Sequence, residues 1–316
     1  MTLLLSEKDV SALLDMREVV EAVEECFRKQ GKGEAVNSPR TRSTVPGSVL
    51  NVMHASLPYL GRAGTKCYLS TKKGTRFVFI LFDLADGTPL AVMGADVLGR
   101  NRTGAASAVA TKHMMGEADV RLAVYGSGKQ AVTQVTAMAA VASLSRVRVW
   151  SPDHGHAKAF AGRLDRLGFQ AAVADSPEDA GKGSDVGSAI TSSREPFLRA
   201  TSVRGLRHLN LCGANVPDRS EAAPDAVSHF RTLAVDDLRQ AKAEAGDLIL
   251  AAQAGTFHWE RAVELKDIVS GKAKATGPTL FKSGGVAIED VAVASVLYDK
   301  AEETGTYAGS SYELGF

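Results

Sequence analysis

Arg121-Leu122-Ala123-Val124-Tyr125-Gly126-Ser127-Gly128-Lys129-Gln130-Ala131 is the stretch on which the fold turns. Five residues of strand character run into a G-x-G-x-x-A turn, and apolar and small residues at helical spacing follow from about Gln130 to Leu144. A strand, a Gly-rich turn and a helix in that order make the phosphate-binding element of a dinucleotide fold. The first Gly permits the tight turn, the second lets the backbone approach a pyrophosphate, and the third small residue allows the helix to pack closely on the strand. The phosphates then rest on the helix N-terminus, where unpaired N–H groups and the dipole favour anions. Gly126, Ser127, Gly128, Lys129 and Gln130 are therefore candidate cofactor-binding residues.

Downstream, strand-like and helix-like segments keep alternating. Val147–Trp150 reads as a strand, Ala157–Leu167 as a helix, and Phe169–Val173, Val186–Ile190 and Arg207–Leu211 as further strands. Repeated β-then-α units imply a parallel sheet with helices on both faces, a doubly wound α/β domain. The tip of the second strand should discriminate between cofactors. Here Trp150 leads into Ser151-Pro152, so the carboxylate expected for a ribose diol is missing from that tip, and a Ser donates to a 2′-phosphate that an Asp would repel. Ser151 thus tilts the reading toward NADP over NAD, with Asp153 left as a residue able to serve a ribose.

Upstream, Ser6–Gln30 carries Val10, Leu13, Leu14, Val19, Val20, Val23 and Phe27 at mostly helical spacing, with Ser6 as N-cap and Gly31 as stop, a helix pair. From Pro39 to about Leu90, β-branched and aromatic runs such as Phe77–Phe82, separated by Pro46-Gly47, Gly61 and Asp86-Gly87, read as antiparallel strands. The Ala-rich stretch Arg102–Met115 reads as a closely packed helix leading to the next domain. The apolar helix Ala287–Glu303 is expected to return to the first. The expected organisation is a mixed α+β substrate and dimerisation domain over 1–115, completed by 287–316, and a Rossmann-type domain over 116–286.

The chain has 316 residues, above the size at which a single core stops growing, so two domains are expected on length alone. With 37 Lys and Arg against 36 Asp and Glu, no bulk field draws it to nucleic acid or an anionic membrane. Its three scattered cysteines, Cys26, Cys67 and Cys212, suit a reducing compartment rather than a disulfide framework or a zinc site. No apolar run reaches the length of a membrane span, and the N-terminal one is too short for a secretory signal, so the expectation is a cytoplasmic protein. No His pair has metal-binding spacing and no nucleophile elbow is present, so neither a metal nor a serine triad is expected.

Six segments occur together in order: Ser38-Pro39-Arg40, Gly64-Thr65-Lys66, Asn101–Ala106, Gly126–Ala131, Gly213–Glu221 and Phe281–Asp290. With these segments the chain resembles the ornithine cyclodeaminase/mu-crystallin family over nearly its whole length. The resemblance implies a Rossmann domain inserted in a dimerising substrate domain, a homodimer, and NAD(P)-dependent redox chemistry at the carbon–nitrogen bonds of small α-amino or α-imino acids. It also implies that Arg40, Lys66 and Arg102 hold the substrate carboxylate, that Thr103 and Thr191 contact the cofactor, and that Ser283 and Gly284 belong to the loop that closes over the nicotinamide.

The chemistry needs such groups whatever the family. Hydride transfer to an imine carbon requires a fixed carboxylate, and bidentate Arg clamps a planar carboxylate best. Arg42 stands near enough to Arg40 to take its place, and His54 is a candidate for the same pocket. One departure matters: cyclodeaminases of the family carry an Asp after the Gly-Ala or Gly-Gly pair, where this chain has Asn215. An amide is no general base near neutral pH, so the cyclodeaminase route from ornithine to proline and ammonia loses its proton acceptor. Lys66, as proton source, and Asn215, as an orienting group, are the catalytic candidates. A ketimine reductase or amino-acid dehydrogenase is favoured; ornithine cyclodeaminase and a non-catalytic NADP-binding crystallin-like protein are the alternatives.

Overall fold

The computed structural model describes residues 1–116 and 119–305 and the backbone of 311–312. In chain order the first elements are β1 (Thr2–Leu5), α1 (Glu7–Leu13), α2 (Met16–Gly31), β2 (Val36–Asn37), β3 (Thr41–Val45), β4 (Ser48–Leu57), β5 (Arg62–Thr71), β6 (Gly74–Asp83), β7 (Pro89–Gly94) and α3 (Asp96–Met115). There follow β8 (Asp119–Tyr125), α4 (Ala131–Val141), β9 (Ser143–Trp150), α5 (His154–Arg166), β10 (Ala171–Val173), α6 (Pro177–Gly181), β11 (Val186–Ala189), α7 (Ala200–Val203), β12 (His208–Leu211) and α8 (Pro224–Ser228). The chain continues through β13 (Thr232–Val235), α9 (Leu238–Glu244), α10 (Gly246–Gln253), β14 (Ala262–Glu264), α11 (Leu265–Val269), β15 (Thr279–Lys282), α12 (Ala287–Thr304) and β16 (Ser311–Tyr312).

Two compact units result, Met1–Arg102 with Val286–Phe316, and Thr103–Gly285. The division falls inside α3, whereas the sequence reading gave that whole helix to the first domain and began the second at 116. Close contacts assign most of α3 to the second unit. Gly104 lies against the backbone carbonyl of Thr133 on α4 with no room for a Cβ. Thr111 accepts a hydrogen bond from Asn210 of β12, and Ser107 contacts Cys212.

In the first unit β1 runs parallel to β7, and β7, β6, β5 and β4 form an antiparallel meander that carries β2 and β3 at its end. Alternation sends Met53, Lys66, Phe79, Leu81 and Met93 to one face, which α12 covers with α2 packed beside it. Leu50, Leu69 and Val78 point the other way and stay 41, 44 and 45% exposed. The first helix is closed by a capping box between Ser6 and Asp9. Ala95, immediately before α3, has no side chain able to act as a cap. Glu7 supplies it from far along the chain, its two carboxylate oxygens accepting from the backbone N–H groups of Asp96 and Val97 at 2.8 and 2.9 Å. That is why the helix begins six residues before the Arg102 start expected from composition.

The second unit is built on an eight-stranded sheet, every pair parallel, in the order β10-β9-β8-β11-β12-β15-β13-β14. Both faces are covered, so β8 is apolar and buried from Leu122 to Tyr125. Val120, Leu122 and Val124 face the core made with α4 and α5, while Ala123 and Tyr125 face the core made with Leu198, Phe230 and Leu248. The helix expected to Leu144 stops at Val141, because Ser143 and Leu144 pair with Asp119 and Val120 as the first residues of β9. No Gly or Pro marks that stop, so spacing alone runs past it.

Candidate functional site

Strand order in the second unit reverses at β8: β9 and β10 follow on one side, β11 and β12 on the other. Ligands of such sheets bind outside the carboxyl ends of the strands at this switch point. Gly126, the first residue past β8, sits at φ +110°, a conformation that favours Gly, and a Cβ there would come within 2.8 Å of the Ile190 carbonyl oxygen. Its N–H donates to Trp150. Gly128 faces open space where a Cβ would stand, Ser127 is half-buried, and Gly128, Lys129 and Gln130 are exposed ahead of the first turn of α4. The geometry suits a pyrophosphate: a bare backbone approach to the N-terminus of a helix eleven residues long.

Beyond the tip of β9, Ser151 is half-buried, and Asp153 serves as N-cap of α5, accepting from the His156 N–H at 2.8 Å. That hydrogen bond holds the Asp153 carboxyl below its ordinary value. Beyond β11, Thr191 gives both its N–H and its hydroxyl to one oxygen of Glu221, at 2.7 and 2.8 Å, while the other oxygen accepts from the Gly213 N–H at 2.7 Å. Glu221 is fully buried, so burial raises its pKa while nearby Lys282 opposes the rise. Lys282, also fully buried, pairs with Asp247 at 2.9 Å and donates to the Ala214 carbonyl at 2.5 Å. Asn215 therefore projects from a loop anchored on its immediate upstream neighbours, and is itself exposed. Ser283 and Gly284 sit over Asp236, whose Oδ2 accepts from the N–H groups of Gly284 and Gly285 at 2.7 and 2.6 Å. Thr103 is buried at the start of the second unit's part of α3.

In the first unit, Lys66 on β5 is 2% exposed. Its ammonium donates to both oxygens of Asp290, at 2.7 and 2.6 Å. Arg102 donates through Nε to Asp290 at 3.1 Å and through Nη1 to Glu289 at 2.8 Å. Burial, the nearby Arg102 charge and, more weakly, Arg40 draw the Lys66 pKa down to about 8, against the opposing pull of Asp290. Arg40 is buried and close enough to take part in that shift, whereas Arg42 is exposed on β3. The structure thus holds Lys66 and Arg102 on two carboxylates, with Arg40 close enough to Lys66 to act on its charge. Counted formally, three cations and two carboxylates leave these five side chains with a sum of one positive charge.

His54 does not join them. Its neighbour Met53 pairs with Lys66 across the β4–β5 ladder, and the two-residue period of a strand turns His54 to the opposite, exposed face. The sequence reading also gave no role to Glu289, Asp290, Glu221, Asp247, Asp236 or Lys282, although all six are buried and hydrogen-bonded around the candidate residues. Among the described residues no cluster of His, Cys, Asp and Glu is arranged to hold a metal, and no helix is long and apolar enough to cross a membrane.

The chain matches one family model, that of the ornithine cyclodeaminase/mu-crystallin family, over residues 1–305. The chain belongs to that family. Among solved structures it is similar to the Thermococcus litoralis Δ1-pyrroline-2-carboxylate reductase in complex with NADH and L-proline, at 31% identity and a TM-score of 0.91, covering 98% of this chain and 100% of that one. An archaeal alanine dehydrogenase dimer with bound NAD matches at 31% identity and a TM-score of 0.91 over 99% of each chain. The ketimine reductase mu-crystallin of Rattus norvegicus is 34% identical over 222 residues, 70% of this chain and 68% of that protein.

Proposed function

We propose that this member of the ornithine cyclodeaminase/mu-crystallin family is an NAD(P)H-dependent oxidoreductase acting on the carbon–nitrogen bond of α-imino and α-amino acids, a ketimine reductase or amino-acid dehydrogenase. The observation that carries the reading is the buried set of Arg40, Lys66 and Arg102, three cations brought together in one unit. Burying cations costs free energy that a protein without a carboxylate to bind has no reason to spend.

Bound reduced nicotinamide supplies the hydride. Arg102 and Arg40 hold the substrate carboxylate, which fixes the neighbouring imine carbon. Lys66, with a pKa near 8, is charged at neutral pH yet close enough to titration to give its proton to the imine nitrogen. Gly126, Ser127, Gly128, Lys129 and Gln130 cradle the pyrophosphate, and Thr103, Thr191, Ser283 and Gly284 line the rest of the cofactor site. Ser151 meets the adenosine ribose. Because Asp153 is spent on capping α5, NADP is the favoured cofactor and NAD the second. Asn215 orients the substrate or a water.

The exposed apolar face of Leu50, Leu69 and Val78 supports a homodimer built on the first unit, and the free cysteines suit the cytoplasm. The test is oxidation of NADPH with Δ1-pyrroline-2-carboxylate, and with pyruvate plus methylamine. Turnover of either is the expected result. No turnover of either, with NADPH or NADH, would overturn the assignment.

A further inference from the structure

We propose that Asp290 is a positioning residue of the cation cluster, fixing Lys66 and Arg102 against one another and keeping Lys66 a proton donor. This rests on the reductase reading and adds to it a residue that the substrate does not touch.

The geometry begins at the first turn of α12. Asp290 is fully buried, and its Oδ1 accepts from both Lys66 at 2.7 Å and Arg102 at 3.1 Å, so one atom sets the spacing of two cations brought from β5 and α3. Its Oδ2 takes a second proton of Lys66 at 2.6 Å. An ammonium has three donors. Two are engaged by a single carboxylate, which fixes the direction of the third. The same helical turn also ties down the segment that leads to the third cation: the Ala287 N–H donates to Asn37 at 3.0 Å, three residues before Arg40.

The charge environment makes this carboxylate decisive for Lys66. The charged groups acting on Lys66 are Arg102 on α3, Asp290 on α12 and Arg40 ahead of β3; Glu289 pairs with Arg102, and Glu289 and Asp290 also face the Cys26 thiol of α2. Burial and the negative charge of Glu289 push that thiol well up, so it is uncharged. Burial and both guanidinium groups favour loss of the Lys66 proton. Asp290 opposes them by its charge and by two hydrogen bonds. Without it, Lys66 would sit buried beside two like charges, and its protonated form would lose the group that supports it.

The experiment is the pH profile of reduction for the wild-type protein, Asp290→Asn and Asp290→Glu. In the wild type the rate falls as pH rises through about 8, where Lys66 gives up its proton. In Asp290→Asn that alkaline limb moves to lower pH by about 1–3 units, the effect of losing an opposite charge at contact distance. Asp290→Glu keeps the charge but displaces it by one methylene, so the limb stays and KM rises. A limb left in place by Asp290→Asn overturns the proposal. Should Asp290→Asn not fold, proton binding is read directly by NMR of protein labelled with [ε-15N]lysine, the Lys66 signal being identified by its loss in Lys66→Met. An unchanged midpoint in Asp290→Glu with raised KM supports the proposal. A midpoint lowered by a unit with KM unchanged overturns it. A wild-type protein inactive on every ketimine would sink the reductase reading alone, since the titration of Lys66 against Asp290 is read without turnover.

Discussion

Arg102 is held by two carboxylates and is proposed to hold a third, so its removal separates a structural role from a catalytic one. In Arg102→Met the cluster loses one of its three cations, and Glu289 and Asp290 each lose a guanidinium contact. Both carboxylates are fully buried and the Arg102 side chain is 9% exposed, so water cannot replace the lost partner. Breaking a buried pair from one side costs about 3–5 kcal/mol of stability. A charge-assisted contact to the substrate carboxylate is worth about 2–3 kcal/mol, which at 1.36 kcal/mol per decade is a fall of roughly 30- to 160-fold in kcat/KM. The two losses are distinguishable by adding Glu289→Gln. The double variant removes the Glu289 charge together with that of Arg102, which keeps the formal sum of the cluster at one positive charge, as in the wild type. Urea unfolding should show much of the stability recovered. Reduction of Δ1-pyrroline-2-carboxylate, followed by the absorbance of the reduced nicotinamide, should stay low, because a formal surplus without the planar fork cannot orient a carboxylate. Cofactor affinity, measured calorimetrically, should be unchanged throughout. A double variant that regains full kcat/KM would refute the reasoning, since Arg102 would then be needed only to neutralise Glu289.

Three further outcomes are expected. NADPH should bind more tightly than NADH in calorimetric titration, with Ser151→Asp reversing the order; tighter NADH binding by the unmodified protein would remove the argument from the tip of β9. Incubation with L-ornithine and catalytic NAD should release no appreciable ammonia, because Asn215 cannot serve as a base, and robust ammonia release would promote the cyclodeaminase alternative. Gly104→Val should lower the thermal midpoint in scanning calorimetry, because its side chain must displace the Thr133 backbone carbonyl, an overpacking cost of about 1–3 kcal/mol; an unchanged midpoint would mean that α3 and α4 separate freely.

The second unit was the more legible half because its signals are local. A β-branched strand, a Gly that adopts φ +110° and a small residue opening a helix lie within eleven consecutive positions, and each does its work on its sequence neighbours or on the adjacent strand. Its later part was less readable. β13 and β14 pair as outer strands beyond β15, a nonconsecutive insertion that only the finished sheet defines, and both are short. The start of α3 was misjudged for the same reason. Its N-terminal donors are satisfied by Glu7, 89 and 90 positions away, so no capping residue stands where a sequence reader looks for one.

The cation cluster gives the sharper lesson. Arg40, Lys66 and Arg102 were legible through dispersed segments, whereas Glu289 and Asp290 end another of those segments, Phe281–Asp290, and carry no role in the sequence pattern. What distinguishes them is their setting. From Ala287 to Ser295 every residue of α12 is buried, so these two acids do not lie on a solvated face. A helix apolar all round must be buried, and a carboxylate within it must be paired. Arg102, expected in a closely packed helix, poses the same demand with the opposite sign. Matching the two demands would have joined Asp290 to Arg102 across 188 positions, where periodicity has no reach. Charge balance between segments expected to be buried is therefore a signal that survives sequence distance. Here it leads to the carboxylates that govern the proton and the geometry of the proposed reaction.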